Sequence, residues 1–473
     1  MYILHHKLKD LPLQEYSVLY DNIAFSGDCR GRLRVELRIS PFPVMDWEFE
    51  ILERDVPHFQ TDSNHKVVEP VNGIEFSIGR PSYALPSFST YETLSIQYRG
   101  RISRAFIGNQ DLVSKSFSFY LPNAKFHEIV LPRRDQEEQR QVNRELRITE
   151  GGRELGVERD GRWIETKIDD EWSVRIFTRD ESLKWLGRTN REQGTKITTS
   201  GRLYQHGEDE KKKAITLEQA LDTLKKLSSL LAFANGGYTG PLYVEGVGVA
   251  PNRSFSGVVT TFEVTPIELM GETWLDRTSS LGNYIRCFPS FCKMVNTSPW
   301  NQVYQLALIW YFQAIQPMSP QSAGKPWPVI ANALGAALET LSYTILVLEE
   351  DDLEIRNTNK KLFDLSWDKV LKKPSSHSRL IKLLERIGIS KSPGFSVPNS
   401  VKDFVLLRNE ATHQKPGGER PSSEMRDQVI RQAIQWLEEC LLWRLGYSGE
   451  YLDRSTGSSI NPRYDLGTRN SSW

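Results

Sequence analysis

Residues 1 to about 200 alternate apolar and polar side chains in short runs. This alternation is typical of β-strands with one buried and one solvent-facing side. Arg32 to Ile39 and Trp47 to Glu53 show it most clearly, and Gly151-Gly152 and Asp160-Gly161 mark turns between runs. Further strands are predicted at Tyr16–Tyr20, Glu92–Tyr98, Lys115–Tyr120, Glu145–Ile148, Trp163–Lys167 and Trp172–Thr178. Many short antiparallel strands predict a sandwich or barrel-like domain.

A helical pattern follows the strands at Leu217 to Ala234, where leucines recur at the spacing of one helix face. Thr216 is predicted to cap this helix, and Asn235-Gly236-Gly237 to end it. Two more strands are expected at Leu242 to Val247 and Thr260 to Val264. The first domain is therefore predicted to be α+β, with at least one helix packed on a sheet.

From Gln302 onward the apolar positions follow helical spacing instead. Val329 to Glu349 is apolar on nearly all sides, which predicts the central helix of a bundle. The other predicted helices are Val303–Ile315, Lys360–Leu371, Ser378–Ile387, a helix that ends near His413, and a last long helix that ends at Gly446.

These patterns predict an α+β protein of two domains, with a boundary near Met294. Residues 1–294 form the antiparallel β-rich domain and residues 295–454 form an all-α bundle. Residues 455–473 are rich in Ser, Gly and Asn and are predicted to be a flexible tail.

One stretch of the helical part combines chemistry with a defined helix end. The apolar run Phe404 to Leu407 precedes Arg408 and Asn409, His413 follows, and Pro416 stops the helix. Histidine titrates near neutral pH and can transfer a proton, whereas arginine can bind a phosphate through two hydrogen bonds. Five helical residues turn the side chain by roughly 140° beyond a full turn, so Arg408 and His413 do not share a face, whereas Asn409 and His413 do.

Arg408-Asn409-x-x-x-His413 resembles the R-x4-6-H motif of HEPN domains, which are all-α bundles found in ribonucleases, toxins and anti-phage systems. The resemblance implies metal-independent RNA cleavage by a homodimer or higher homo-oligomer, in which two copies of the motif meet at one phosphate. It assigns Arg408, Asn409 and His413 as catalytic residues. The alternative from the residues alone is that Arg408 and His413 cap the helix carbonyls.

The order of the two parts resembles ApeA-type anti-phage proteins, which carry a β-rich domain ahead of a C-terminal HEPN domain. The residues behind this likeness are Tyr20 to Gly27 and the Leu217 to Gly237 helix with its glycine exit. The resemblance implies that the N-terminal domain binds a phage-derived trigger and that the C-terminal domain cleaves RNA.

Glu339 lies inside the predicted central helix, and a buried carboxylate needs a partner. Arg408 is one candidate, and pairing would orient its guanidinium for the site. Pairing with another bundle residue, or a position at the rim of the bundle, remains an equal alternative.

Composition limits the kinds of RNA contact, metal site and cellular location that the sequence allows. The sixty basic and sixty acidic residues cancel, so any RNA contact must come from a local patch. Cys29, Cys287, Cys292 and Cys440 have no zinc-site spacing, which predicts free thiols in a reducing cytosol, with no metal and no cofactor. No uninterrupted apolar run reaches about 18 residues, which predicts a cytoplasmic protein without a membrane span.

A second class of function stays open at this level. The helical domain could dimerise or bind RNA without catalysis, and the β-rich domain could then be the ligand-binding part. In that case Arg408 and His413 would be structural, and their replacement would lower stability.

Overall fold

The computed structural model divides the chain into two compact units. Unit 1 comprises Met1–Leu231 and Tyr238–Glu268, and unit 2 comprises Ala232–Gly237 and Leu269–Trp473. The structure describes residues 15–25, 29–38, 44–51, 65–69, 74–78, 83–85, 96–101, 104–108, 112–124, 149–150, 153–154, 162–169, 171–178, 197–205, 214–247, 255–260, 264–275, 281–316, 326–350, 376–389, 397–413 and 422–468. This division lies ahead of Met294, where the sequence predicts the domain boundary.

Unit 1 contains a first seven-stranded antiparallel sheet in the order β5-β4-β1-β2-β3-β7-β6. Its strands are β1 (Glu15–Phe25), β2 (Cys29–Arg38), β3 (Val44–Ile51), β4 (His65–Glu69), β5 (Ile74–Ile78), β6 (Tyr83–Leu85) and β7 (Ile96–Arg101). The described parts of the alternating segments that begin at Arg32 and Trp47 lie in β2 and β3, which pair directly through Val35 and Trp47.

A second seven-stranded antiparallel sheet has the order β13-β14-β15-β10-β17-β18-β8. These strands are β8 (Arg104–Gly108), β10 (Ser116–Pro122), β13 (Arg162–Lys167), β14 (Trp172–Thr178), β15 (Ile197–Gln205), β17 (Tyr243–Val247) and β18 (Phe255–Thr260). Short pairs are formed by β9 (Val113–Ser114) with β16 (Ile215–Thr216) and by β11 (Thr149–Glu150) with β12 (Arg153–Glu154). One face of this sheet is buried and apolar, through Phe117, Phe119, Val174, Ile176 and Leu203.

The β-rich part of the prediction is confirmed, and two predicted strands are not described in full. Thr260, where the predicted strand Thr260 to Val264 begins, is the last residue of β18, and residues 261–263 lie outside the described residues. The predicted strand Glu145 to Ile148 lies outside the described residues.

Helix α1 (Leu217–Asn235) has the start and end that the sequence predicts. The Gln219 N–H donates to Oγ1 of Thr216 at 3.3 Å, and the Thr216 N–H donates to Oε1 of Gln219 at 3.0 Å. This reciprocal cap satisfies two of the amides that a helix start leaves unpaired. Gly236 follows the last helical residue and has φ +73°, a left-handed conformation that favours glycine.

Unit 2 is helical, which confirms the α+β layout of the chain. Its helices are α2 (Leu281–Ile285), α3 (Phe288–Val295), α4 (Trp300–Ile315), α5 (Trp327–Tyr343), α6 (Ser376–Arg386), α7 (Val397–Thr412) and α8 (Ser423–Leu445). Helix α5 continues as a π-helical segment, Thr344–Glu349. It contacts α4, α6, α7 and α8, so the apolar stretch from Val329 is central, as its sequence indicates. The predicted helix Lys360 to Leu371 lies outside the described residues.

The stretch Trp327–Glu349 is long and apolar enough to span a membrane by length and composition alone. More than half of its apolar window is buried against the rest of the chain, as in the core helix of a bundle. The same length and composition are found in such core helices, so the stretch is weak evidence for a membrane span.

An aromatic cluster fills the core of unit 2 beside the helices. The rings of Phe233, Trp274, Tyr284, Tyr311 and Tyr447 lie with centroids 4.7 to 6.4 Å apart. Such tilted and edge-on aromatic pairs add stability beyond the area that they bury.

Residues 455–468 differ from the flexible tail that the sequence predicts. Strands β19 (Tyr451–Asp453) and β20 (Ser458–Ile460) form a hairpin, and Leu466–Thr468 is a short 3-10 helix. Arg463 pairs with the buried carboxylate of Glu439 on α8. A long-range ion pair therefore orders a segment whose composition alone indicates a loop.

Candidate functional site

Helix α7 presents the motif residues on its solvent side. Val401, Phe404 and Leu407 are buried against the bundle, whereas Asn409 and His413 are exposed. His413 follows the last helical residue, and its backbone N–H still donates to the Asn409 carbonyl at 2.9 Å. The helix therefore holds its regular geometry up to the histidine.

Arg408 lies across the backbone of α5 at Gly335. A Cβ added to Gly335 would lie 3.0 Å from Cγ and 3.3 Å from Nε of Arg408. Because residue 335 has no side chain, the arginine stem can pack directly against the backbone of the central helix. The Arg408 side chain is 35% exposed, so part of its guanidinium reaches solvent.

Glu339, one turn further along α5, contacts two arginines through its two carboxylate oxygens. Nη2 of Arg379, from α6, lies 2.9 Å from Oε1 and donates a hydrogen bond to it. Nη2 of Arg408 lies 3.7 Å from Oε2, which is an ion-pair distance but longer than a hydrogen bond. The sequence left open whether Glu339 pairs with Arg408 or with another bundle residue, and both contacts are present.

The end of α7 is tied to α5 by a second polar contact. The Thr412 hydroxyl lies 2.8 Å from Oδ1 of Asn332 and 2.9 Å from the Arg408 carbonyl. Nη1 of Arg408 lies 3.4 Å from Oδ1 of Asn409. These contacts fix the backbone on both sides of the motif and leave the exposed Asn409 and His413 at the end of the helix.

Arg379 is the site residue that sequence reasoning missed. It precedes Leu383 by one helical turn, on the side of α6 that is buried, and its own side chain is 16% exposed. An arginine on the apolar face of a helix is a detectable signal, because a buried cation needs an anionic partner.

A second charged cluster lies deep in unit 2. Glu438 and Glu439 of α8 are both fully buried. Arg454 donates two hydrogen bonds to Glu438, at 2.8 and 2.6 Å, and Tyr311 donates one at 2.6 Å. Tyr451 donates to Glu439 at 2.6 Å. Burial raises the pKa of Glu439, and the attraction of Arg463 opposes this rise. The cluster is enclosed and bonded internally, as expected for a structural network.

The polar face of the second sheet carries a smaller cluster in unit 1. Arg175 and Glu165 form an ion pair across β13 and β14, and the Tyr204 hydroxyl donates to Glu165. Burial and the hydrogen bond to Glu165 raise the pKa of Tyr204 to about 12. The cluster is held by its own cross-strand contacts.

Among the described residues, no three His, Cys, Asp or Glu side chains come together as a metal site would require. Cys287, Cys292 and Cys440 are not in disulfide bonds.

Comparison with known proteins adds one family to this picture. Residues 297–464 match the family model of the YopA C-terminal domain. The match covers less than half of the chain, but it includes Glu339, Arg379 and the α7 motif together with both buried glutamates of α8. No curated protein and no solved structure matches the chain.

Proposed function

We propose that the helical unit is a metal-independent endoribonuclease of the HEPN class, which cleaves RNA at a site composed from two copies of the chain. The carrying observation is the arrangement at the end of α7. A partly exposed arginine is held against Gly335, and exposed Asn409 and His413 follow at the helix end.

Arg408 is suited to bind the scissile phosphate. Its guanidinium can donate two parallel hydrogen bonds to phosphate oxygens. Glu339 and the backbone of α5 restrict its orientation, which lowers the entropy that is lost when it binds. Arg408 would thus stabilise the negative charge that develops on the phosphate.

His413 would act as the general acid or base, on the attacking 2′-hydroxyl or on the leaving 5′-oxygen. Asn409 shares its helix face and would orient the imidazole or donate to the phosphate. Because Arg408 points roughly 140° away from His413 around the same helix, one copy of the chain cannot direct both side chains at one phosphate. Pairing two copies across a two-fold axis would supply two arginines and two histidines around one phosphate.

The test is cleavage of total RNA by the purified protein in EDTA. We expect products with 2′,3′-cyclic phosphate and 5′-hydroxyl ends. The Arg408→Ala and His413→Ala variants should lose at least about a hundredfold in rate. Arg431→Ala, which removes an exposed arginine from α8, is the matched control and should cut normally. Cleavage that survives in His413→Ala, or that stops on chelation, would reject this mechanism.

The biological setting rests on the likeness to ApeA-type proteins. We propose a cytoplasmic abortive-infection effector in which the β-rich unit binds a phage-derived trigger. Expression in a phage-sensitive bacterium tests this role: the wild type should reduce plaque formation and His413→Ala should not. Equal plaque counts for both proteins would contradict it.

A second candidate function is a non-catalytic module that dimerises or binds RNA. Leu406 lies on the exposed side of α7, and 57% of it reaches solvent. A surface contact would cover it in either function. The two differ in the EDTA assay, because a binding module would retain RNA without shortening it.

A further inference from the structure

Three charges of unit 2 are connected through one carboxylate. Arg379 and Arg408 are both within ion-pair distance of Glu339, so the group Arg379, Glu339 and Arg408 carries one net positive charge. The three residues come from α6, α5 and α7, and their mutual positions depend on the packing of the bundle.

The two arginines do not share the carboxylate equally. The Arg379 contact is 2.9 Å and its side chain is 16% exposed, whereas the Arg408 contact is 3.7 Å and its side chain is 35% exposed. The shorter and more buried pair is the stronger one, because Coulomb attraction grows at short distance and water screens it less. Arg379 therefore holds most of the attraction of Glu339.

We propose that Arg379 is a positioning residue of the Arg408 site. Arg379 pairs with Glu339, and the net positive charge of the three residues therefore stays on Arg408, where it can attract a phosphate group. Without Arg379, the carboxylate would close onto Arg408 and neutralise it. This inference rests on the proposed function for the identity of the anion, an RNA phosphate, but the charge balance itself does not depend on it.

The strongest test changes the net charge of Arg379, Glu339 and Arg408 in steps. Arg379→Gln lowers it from plus one to zero, and the double variant Arg379→Gln/Glu339→Gln returns it to plus one. The probe is a 2′-O-methyl RNA oligonucleotide, which lacks the nucleophile for cleavage. We expect Arg379→Gln to weaken its binding about tenfold and the double variant to recover most of the loss.

Controls separate charge balance from damage to the fold. Arg379→Lys keeps the charge and should bind the oligonucleotide nearly as well as the wild type. Arg386→Gln removes an arginine of the same helix that pairs with Glu350, and should leave binding unchanged. Equal weakening by Arg386→Gln, or failure of the double variant to recover, would overturn the proposal.

A second readout needs no RNA. Phenylglyoxal modifies arginines whose guanidinium is not engaged by a carboxylate, and peptide mass spectrometry can follow Arg408. Labelling of Arg408 should slow severalfold in Arg379→Gln and recover in the double variant. Glu339→Gln alone should speed it, which tests the proposal even where Arg379→Gln fails to fold. Unchanged labelling in these variants would refute the charge balance, whereas correct labelling without RNA cleavage would refute only the proposed function.

Discussion

At the scale of single residues, Gly335 and Arg408 determine each other's position. The arginine stem occupies the space that a side chain on Gly335 would fill. Glu339 then meets the guanidinium one turn further along the same helix. The proposed site therefore depends on a residue that has no functional group of its own.

Gly335→Ala tests this dependence. Alanine favours a helix interior over glycine by about 1 kcal/mol, so the thermal midpoint should hold or rise. The added methyl group should displace the Arg408 stem by a few tenths of an ångström, which should lower RNA cleavage about tenfold. Thermal unfolding and the EDTA assay measure the two effects separately. Full activity in a stable Gly335→Ala variant would show that the close contact does not position Arg408.

The sequence anticipated part of this arrangement. Glu339 stands out as a carboxylate within an apolar helix, and that pattern predicts a partner, with Arg408 as one candidate and another bundle residue as the alternative. The contact with Arg379 joins residues forty positions apart on different helices. No periodicity within either helix encodes that contact, so only packing identifies it.

At the scale of elements, helix α8 carries adjacent buried carboxylates whose counter-charges come from outside the helix. Arg454 follows strand β19, and Arg463 follows strand β20. Removing one member of a buried pair leaves an uncompensated charge, which costs more than the pair itself contributes.

We expect Arg463→Ala to lower the free energy of unfolding by about 3–5 kcal/mol. Adding Glu439→Gln should restore part of this loss, because the buried charge is then removed as well. Urea unfolding of the full chain measures both. As a comparison, Lys226→Ala breaks a partly exposed ion pair with Asp222 on α1 and should change stability by less than about 1 kcal/mol. A small effect of Arg463→Ala would mean that water enters the cluster.

Elements were predictable from sequence where their determinants are local. Helix α1 follows from its leucine spacing, the Thr216 cap and Gly236, all within one stretch of chain. The hairpin of β19 and β20 was not predictable, since its order depends on Arg463 reaching Glu439 on α8. Ser- and Gly-rich composition describes the local chain and carries no information about that distant contact.

At the scale of the whole molecule, the proposed site requires a second copy of the chain. The motif faces solvent on α7 beside an exposed leucine, Leu406. Covering exposed apolar surface contributes to association.

Leu406→Lys should therefore shift the assembly toward the mass of one chain in sedimentation velocity, and RNA cleavage should fall with it by about tenfold or more. Leu348→Lys, which changes another exposed leucine of unit 2, should leave both the mass and the rate unchanged. Normal cleavage by a monomeric Leu406→Lys protein would exclude a site composed from two copies.

The positions of Arg454 and Arg463 after α8 in the sequence also affect how the protein folds during its synthesis. During synthesis, α8 leaves the ribosome before Arg454 and Arg463, so its two glutamates emerge before these cations are free to pair with them. Until then, burying the helix would place two lone charges in the core, and the bundle cannot close at low energy. A chain or a proteolytic fragment that lacks residue 463 would leave Glu439 without this cation and would thus be held back from the closed fold.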